Sequence, residues 1–204
     1  MQHCHELSDQ TKDNCLVLHD LFGYLSCQLH VNKPQTIITF ASQEYALGRN
    51  VEVNQCGGIQ IRNVLDDYSA TSLAVLKIPK SIDLFRLYLT KISQVLHKDG
   101  VVFCGFMTRN FTPAWLKLAA TFFGTVEQTQ AAKKARLLVL REPKKQTVDL
   151  VTTFTDENSV DWQQYLGVFS AGRIDYASQF LMEHVEVPSG VVTAADVGSG
   201  NGVL

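Results

Sequence analysis

Short apolar runs alternate with helical patterns along the chain up to Pro143. Runs of this length, rich in Val, Ile, Leu and Phe, are typical of strands buried in a sheet. The clearest helical pattern is Ile82–Leu96, where apolar residues recur every three or four positions before a polar stop that ends in Gly100. The alternation predicts an α/β sheet built from crossover units. The first five predicted strands are Cys15–His19, Thr36–Phe40, Ile59–Val64, Leu73–Ile78 and Val101–Phe106.

The predicted sheet ends with an antiparallel pair of strands. Pro113–Phe123 has a helical pattern, and the segments Gly124–Thr129 and Arg136–Arg141 that follow it are predicted to be the two strands. The second of them ends at Glu142-Pro143. We therefore expect one domain to span residues 1–143.

Residues 144–166 have a different character from the predicted domain. Polar and apolar positions alternate in "TVDLVTTFT", and Phe154, Trp162 and Tyr165 are large side chains that gain by packing against a partner. We expect an ordered linker here rather than a flexible tether, and a hairpin is one form that it could take. Residues 167–204 are then expected to begin a second domain.

The last segment of the sequence has the pattern of a helix, a strand and a glycine-rich turn. Apolar residues fall on one side of a predicted helix over Arg173–Val185, and the apolar run Val191–Ala195 is predicted to be a strand. Glycines then stand at every second position, at 198, 200 and 202. Such a turn lets a nucleotide approach the backbone, but an ordinary glycine-rich loop has the same composition.

Composition excludes several classes of protein. No apolar run approaches the roughly 20 residues that cross a bilayer, and the first residues are too polar for a signal peptide, so we expect a cytoplasmic protein without a membrane partner. The five cysteines are odd in number and contain no C-x-x-C pair, which favours reduced thiols over a disulfide framework or a zinc site. The cluster His3-Cys4-His5 has too few partners, and we expect no metal.

The charges are unevenly distributed, although the formal net charge is only −2. The segment 133–145, named here the basic run, contains six basic residues and one acid, Glu142. One interpretation is a solvated turn and strand edge, where lysines discourage edge-to-edge pairing. The other is a patch that contacts phosphates. The six basic residues are Lys133, Lys134, Arg136, Arg141, Lys144 and Lys145.

Two parts of the chain have a similar pattern, "VLHDLFGYLS" (17–26) and "AADVGSGNGV" (194–203). In each, an aspartate (Asp20 or Asp196) ends a predicted strand. Two and four residues after it the second has glycine, whereas the first has Phe22 and Tyr24. We expect these aromatic rings to occupy the space that a cofactor needs, so that the first copy keeps the fold and loses the site.

The segments "LFGYLSC", "AVLKIPK", "KKARLL", "GVFSAGRIDYASQFLMEHV" and "ADVGSGNGVL", in this order, resemble the bacterial ribosomal RNA methyltransferases that modify the 2-amino group of guanine. The large-subunit (23S) enzymes are the most similar, and the small-subunit (16S) enzymes come second. The resemblance implies two tandem domains of the Rossmann-like class I methyltransferase fold. The first would be a degenerate copy without a cofactor that helps to hold the RNA. The second would bind S-adenosylmethionine and transfer its methyl group.

The resemblance also implies site residues. Asp196, Gly198, Gly200 and Gly202 match the cofactor loop of the family, and Phe169 and Ser170 match a segment that lies near the cofactor. For the last two, an aromatic anchor and a helix N-cap are the alternatives. The Asn-Pro-Pro-aromatic catalytic motif has no counterpart, because Lys77-Ile78-Pro79-Lys80 stands at the corresponding strand end. No catalytic residue is named, and we expect this chain alone to be inactive.

Ribosomal RNA is the partner that the resemblance implies, and basic residues are the candidates to hold it. The first candidates are Lys133, Lys134 and Arg136, from the basic run. Strand ends are where open α/β sheets bind ligands, which adds a second set: Lys77, Lys80 and Arg109. Two alternatives stay open. One is a non-catalytic RNA-binding module, and the other is a scaffold that stabilises its catalytic neighbour by packing on it and whose lysines only keep it in solution.

Overall fold

The computed structural model describes residues 14–168, 170 and 172–197. The chain divides into two compact units. The first contains the residues up to Lys80 together with Tyr88–Thr147, and the second contains Ser81–Leu87 together with the residues from Val148 onward.

The first unit is built on a seven-stranded sheet with the order β3-β2-β1-β4-β5-β7-β6. The strands from β3 to β5 in this order are parallel, and β7 runs antiparallel between β5 and β6. The chain leaves β1 towards β2 and β3 on one side and returns to β4 on the other, so the strand order reverses between β1 and β4. The strands are β1 (Leu16–Leu18), β2 (Gln35–Ile38), β3 (Gln60–Asn63), β4 (Thr71–Lys77), β5 (Leu96–Met107), β6 (Phe123–Gln128) and β7 (Ala135–Pro143).

Helices connect β1 to β2, β2 to β3 and β4 to β5, as crossover units require, whereas an irregular segment connects β3 to β4. The helix Pro113–Phe122 illustrates how the sequence determines where a helix begins. Pro113 occupies its first position, and the Thr112 hydroxyl accepts a hydrogen bond from the Ala114 N–H at 3.4 Å. Short 3-10 turns at His30–Asn32 and Thr108–Asn110 complete the connections. The helices are α1 (Tyr24–Gln28), α2 (Ala41–Val53), α3 (Ile82–Val95) and α4 (Pro113–Phe122).

The core lies along the central strands of the sheet. β1 is buried at all three positions, and Leu73, Val101 and Phe103 of β4 and β5 pack beside its Val17. Strands buried on both faces carry continuous apolar runs, which is why the sequence pattern located them. Tyr88 is buried in this core, its hydroxyl lies 2.6 Å from the Thr39 hydroxyl, and burial raises the pKa of Tyr88 to about 12.

All seven strands of the first unit were predicted, with shifts at their ends. The largest shift is in β5, which begins at Leu96 rather than Val101 because Leu96 pairs with Thr71 ahead of a bulge. The antiparallel arrangement of β6 and β7 is confirmed. Helix α2 was not located by its pattern, since it buries only Gln43 and Leu47 and has no continuous apolar stripe.

The second unit contains a hairpin and a helix. Strands β8 (Val151–Thr155) and β9 (Asp161–Tyr165) pair antiparallel, so the alternating segment does form a hairpin. The rings of Phe154 and Trp162 stack across it with their centroids 6.4 Å apart, and the Trp162 indole donates to the Asp156 carboxylate at 3.1 Å.

The helix of the second unit, α5 (Tyr176–His184), begins three residues later than the predicted Arg173. Its N-cap is Asp175, whose carboxylate accepts from the N–H groups of Ala177 and Ser178. The alternative of Ser170 as the N-cap is therefore wrong, because Asp175 satisfies the first free N–H groups of the helix.

The predicted strand Val191–Ala195 is wrong for the described structure. These residues are irregular, and Val191 and Val192 are 48% and 92% exposed. A parallel strand is stabilised by a ladder of hydrogen bonds and by burial between neighbours. No strand within the described ranges pairs with this segment, so its apolar composition alone does not make it a strand.

Candidate functional site

The carboxyl ends of the parallel strands meet at one side of the sheet, named here the carboxyl edge. Open α/β sheets bind ligands at this edge, where the strand order reverses. In the first unit that place is flanked by the turn after β1, which begins at His19, and by the end of β4, whose last residue is Lys77. The His19 Nδ1 atom lies 2.9 Å from the Lys77 carbonyl oxygen and joins the two segments.

The turn after β1 is organised around a buried carboxylate. Asp20 is 8% exposed, and its Oδ2 atom accepts hydrogen bonds from the N–H and the hydroxyl of Ser26, both at 2.9 Å. The Thr36 hydroxyl donates in turn to the Ser26 oxygen at 2.9 Å. Asp20 therefore fixes the start of α1 and ties it to β2. The sequence identified Asp20 as a strand end but gave no sign of this network.

Gly23 closes the same turn against helix α2. Its φ is +75°, and a Cβ atom placed on it would lie 2.6 Å from Leu47 Cδ1, so only glycine fits without a shift. The Asn50 side-chain amide donates to the Phe22 carbonyl at 2.7 Å and fixes the turn on the other side.

That Phe22 and Tyr24 fill the cofactor space of the first copy stays a prediction, because the exposure of the rings does not decide it. Phe22 is 68% exposed and Tyr24 is 69% exposed. The space inside the turn is taken by Leu47, which packs on Gly23, and by the hydrogen-bonded pair Asp20 and Ser26. A cofactor that needs a free carboxylate and an open glycine backbone does not fit these residues.

His19 is the titratable group nearest the reversal of strand order. Burial lowers its pKa, the hydrogen bond to the Lys77 carbonyl opposes that shift, and the Lys77 charge adds to it. Because a carbonyl oxygen can only accept, the Nδ1 atom carries the proton in this contact. Its ring centroid lies 6.0 Å from that of Tyr88. The sequence had not singled out His19.

The structure places the candidate basic residues along the carboxyl edge. Lys77 and Lys80 are exposed after β4, and Arg109 is exposed in the 3-10 turn after β5. Lys133 and Lys134 form the exposed turn before β7, with φ values of +48° and +63°. This turn belongs to the same edge because β7 is antiparallel to β5 and pairs its first residue with Met107.

A pair of hydrogen bonds holds the Lys133–Lys134 turn beside Arg109. The N–H and the hydroxyl of Thr108 both donate to the Lys134 carbonyl, at 2.9 and 3.1 Å. Arg136, two residues on, is half-buried in β7 opposite Phe106. Its Nε atom is buried and has no hydrogen-bond partner among the described residues. Lys133 and Lys134 are thus better placed to meet a ligand than Arg136.

The basic run is divided by the fold into two groups. Arg141, Lys144 and Lys145 lie at the far end of β7, where Arg141 pairs with Thr125. The Lys144 ammonium donates to the Ala120 carbonyl at 2.6 Å. A strand rises about 3.3 Å per residue, so the two ends of β7, which follow Lys134 and precede Lys144, are about 26 Å apart. The local excess of charge in the sequence is therefore not one patch on the surface.

The residues assigned to the cofactor loop are only partly described. Asp196 is exposed in an irregular segment. Ser170 is half-buried with a φ of +56°, and its carbonyl accepts from the Arg173 N–H at 3.2 Å. Their role stays a prediction, as does that of the four other residues, which lie outside the described structure: Phe169, Gly198, Gly200 and Gly202.

The described part of the chain contains neither a cluster of metal-ligating side chains nor a helix that could cross a membrane. No group of three or more His, Cys, Asp and Glu side chains is placed to hold a metal there. Cys15, Cys27, Cys56 and Cys104 are buried free thiols, and the His3-Cys4-His5 cluster lies outside the described residues. In the same part, every helix is too short or too polar to cross a bilayer.

Comparison with known proteins identifies the family of this chain. Residues 1–146 match the family described as "RLMG N-terminal domain". The chain belongs to this family. Residues 159–204 match a second family, "Methyltransferase small domain".

Named relatives include Ribosomal RNA large subunit methyltransferase G of Vibrio vulnificus (strain YJ016), 30% identical over 98% of this chain and 54% of the relative. The protein of that name from Yersinia pestis (strain Pestoides F) is 29% identical over 93% of this chain and 49% of the relative. The chain spans about half the length of these relatives.

Solved structures show that the fold is that of class I methyltransferases. The T. thermophilus 16S rRNA N2 G1207 methyltransferase (RsmC), in complex with AdoMet and guanosine, matches with a TM-score of 0.64 and 18% identity over 83% of this chain and 47% of that one. The putative methyltransferase yhhF from Escherichia coli matches with a TM-score of 0.54 and 11% identity over 71% of this chain and 84% of that one. The predicted Rossmann-like methyltransferase fold is confirmed.

Proposed function

We propose that this chain is the amino-terminal portion of an S-adenosylmethionine-dependent methyltransferase that modifies the 2-amino group of guanine in 23S ribosomal RNA in the cytoplasm. The first unit holds the RNA and performs no methyl transfer, and the residues from 167 onward begin the catalytic domain. The observation that carries this proposal is a methyltransferase sheet whose turn after β1 is closed while exposed cations line its carboxyl edge. The names of the relatives support the reaction and the substrate.

The closed turn supports a non-catalytic role for the first unit. The Asp20 carboxylate is engaged by Ser26, and the Lys77 carbonyl is engaged by His19. At the end of β4, Lys77 carries an ammonium group, whereas amino methyltransferases carry the asparagine amide of the Asn-Pro-Pro-aromatic motif at the corresponding strand end. S-adenosylmethionine, when bound by such an enzyme, supplies a methyl group activated by a positively charged sulfur. We propose that the first unit does not bind it.

The exposed cations support a role in holding RNA. Lys133 and Lys134 are held on a turn that is hydrogen-bonded to Thr108, next to Arg109. Lysine and arginine side chains that meet RNA phosphates release counterions, so the affinity depends steeply on salt. RNA bound at this edge would be oriented by the first unit while the target guanine leaves its stack to reach the catalytic domain.

Charge reversal at the turn tests the proposal. Lys133→Glu/Lys134→Glu should weaken the binding of a 23S ribosomal RNA fragment at low salt. It should also lower the slope of log Kd against log salt by about 2, since each phosphate contact contributes close to 1. Fluorescence anisotropy titrations over a range of salt concentrations measure both effects, and circular dichroism checks the fold.

The matched control is Lys98→Glu/Lys145→Glu, which makes the same change of charge on exposed residues at the opposite edge of the sheet. It should reduce affinity much less, and only through long-range electrostatics. Equal losses in the two double variants would show that RNA binds to net charge alone. An unchanged affinity in Lys133→Glu/Lys134→Glu would favour a scaffold role for the first unit.

A further inference from the structure

Exposed aromatic rings gather at the carboxyl ends of β1 and β2. Phe22 and Tyr24 are 68% and 69% exposed on either side of Gly23, and Phe40, directly before α2, is 45% exposed. Single exposed apolar residues are normal on protein surfaces, whereas several on one edge mark an interaction site.

The turn that carries Phe22 and Tyr24 is rigid. The Gly23 N–H donates to the Asp20 carbonyl at 3.2 Å, and the Cys27 N–H donates to the Gly23 carbonyl at 2.9 Å. The Asn50 amide fixes the Phe22 carbonyl. A side chain on a fixed backbone loses less freedom when it binds, so the rings form a preorganised platform.

Cations lie next to this platform, across the reversal of strand order. Leu18 pairs with Leu76, so the turn after β1 is adjacent to Lys77 and Lys80. The next strands of the sheet bring in Arg109 and Lys134. Three strand spacings of about 4.8 Å separate β1 from β7, so the end of β1 and the start of β7 lie about 14 Å apart along the carboxyl edge. Aromatic and basic side chains thus lie along a single edge.

We propose that this edge binds unpaired nucleotides of the RNA, with bases stacked on Phe22 and Tyr24 and phosphates held by Lys77 and Lys80. The inference rests on the proposed RNA-holding role and names the form of RNA that is held. Single-stranded nucleic acid is bound by rings that stack on bases beside a positively charged track. A duplex keeps its base faces stacked inside and is recognised by shape, so it offers these rings nothing to stack on.

The selection of unpaired RNA suits the proposed reaction. A guanine whose 2-amino group is modified must leave its stack, and this is easiest where the neighbouring nucleotides are already unpaired. Phe22 and Tyr24 would hold the unpaired neighbours while the target base is presented elsewhere. In this proposal the turn after β1 forms a base-stacking surface in place of a cofactor site.

The test compares single-stranded and duplex RNA of equal length on variants of the full chain. Phe22→Leu/Tyr24→Leu removes both rings and keeps apolar side chains, and Phe22→Trp/Tyr24→Trp keeps both platforms as the matched control. Removal of one stacking ring weakens single-strand binding by about 5-fold or more, so the Leu variant should lose at least about 25-fold. Its duplex affinity should change little, and the Trp variant should bind at least as well as the original chain.

A second readout observes the stacking directly. Relative to the original chain, the Trp variant should show additional fluorescence that single-stranded RNA quenches and duplex RNA leaves unchanged. Both native rings are exposed, so neither substitution should lower the thermal midpoint appreciably.

The outcomes separate this inference from the proposed function. A single-strand affinity unchanged in Phe22→Leu/Tyr24→Leu, in a chain that still responds to Lys133→Glu/Lys134→Glu, would overturn the stacking inference and leave the proposed function standing. Equal losses for single-stranded and duplex RNA would also overturn it. Failure of the original chain to bind either RNA would overturn both.

Discussion

At the scale of single residues, the decisive feature is how the turn after β1 is closed. Phe22 and Tyr24 stand where the second copy of the pattern has glycine, yet both rings are exposed. Gly23 and Asp20 close the turn instead, one by packing on Leu47 and the other by accepting from Ser26. A residue that breaks a sequence motif therefore need not be the residue that occupies the site.

Gly23→Ala should destabilise the chain by more than about 1 kcal/mol. The new Cβ atom would meet Leu47 Cδ1 in a backbone conformation that alanine rarely adopts. Gly48→Ala is the control, because Gly48 lies inside α2 with nothing within 4 Å of a Cβ atom. That substitution should stabilise by about 0.5–1 kcal/mol. Urea denaturation measures both, and equal effects would contradict the assigned packing.

His19 should make stability depend on pH. Burial lowers its pKa in the folded chain, so the unfolded chain binds the proton more readily. The stabilisation that His19 contributes is complete above its pKa in the unfolded chain, about 6.5. It is lost as the pH falls towards the lower pKa of His19 in the folded chain. His19→Asn tolerates the positive φ of 55° and does not titrate. Between about pH 7 and 5, this variant should lose less stability than the original chain in urea titrations. An identical loss would contradict the burial of His19.

At the scale of elements, the direction of β7 decides which charges act together. The basic run reads as one patch in sequence, but β7 carries Lys133 and Lys134 at one edge of the sheet and Lys144 and Lys145 at the other. Only the first pair lies with Lys77 at the carboxyl edge. A cluster of charges in sequence becomes a surface patch only if the backbone turns back on itself within the cluster.

The elements that could be predicted are those that sequence periodicity determines. The central strands β1, β4 and β5 are largely apolar runs because they are buried, and the pattern of α3 is regular. Helix α2 buries only Gln43 and Leu47, so its pattern carried little information. The run Val191–Ala195 is apolar but has no strand paired with it among the described residues. The exposure of Phe22 and Tyr24 follows from tertiary contacts of the turn, which no local pattern contains.

At the scale of the whole molecule, the fold of a methyltransferase is kept in a unit whose first turn is closed. A fold does not fix a function, since the site residues can change while the core stays. The chain spans about half the length of its named relatives, and the proposed division of labour assigns RNA holding to the first unit and methyl transfer to the domain that follows.

Removal of the aromatic rings should not open a cofactor site in the first unit. Phe22→Gly/Tyr24→Gly restores the spacing of glycines after Asp20, but Leu47 and the hydrogen-bonded Asp20 still occupy the turn. Titration calorimetry with S-adenosylmethionine should show no gain in binding over the original chain. Micromolar binding that appears only in the variant would show that the rings, rather than these contacts, close the site.

RNA crosslinking tests the central claim, that the carboxyl edge of the first unit holds RNA. The full chain is irradiated with a 23S ribosomal RNA fragment containing 4-thiouridine, and the crosslinked peptides are identified by mass spectrometry. We expect crosslinks in the peptides that contain Lys77–Lys80 and Lys133–Arg136. Crosslinks confined to the opposite edge, at Lys98 and Lys145, would contradict the claim, as would their absence under conditions in which the RNA is bound.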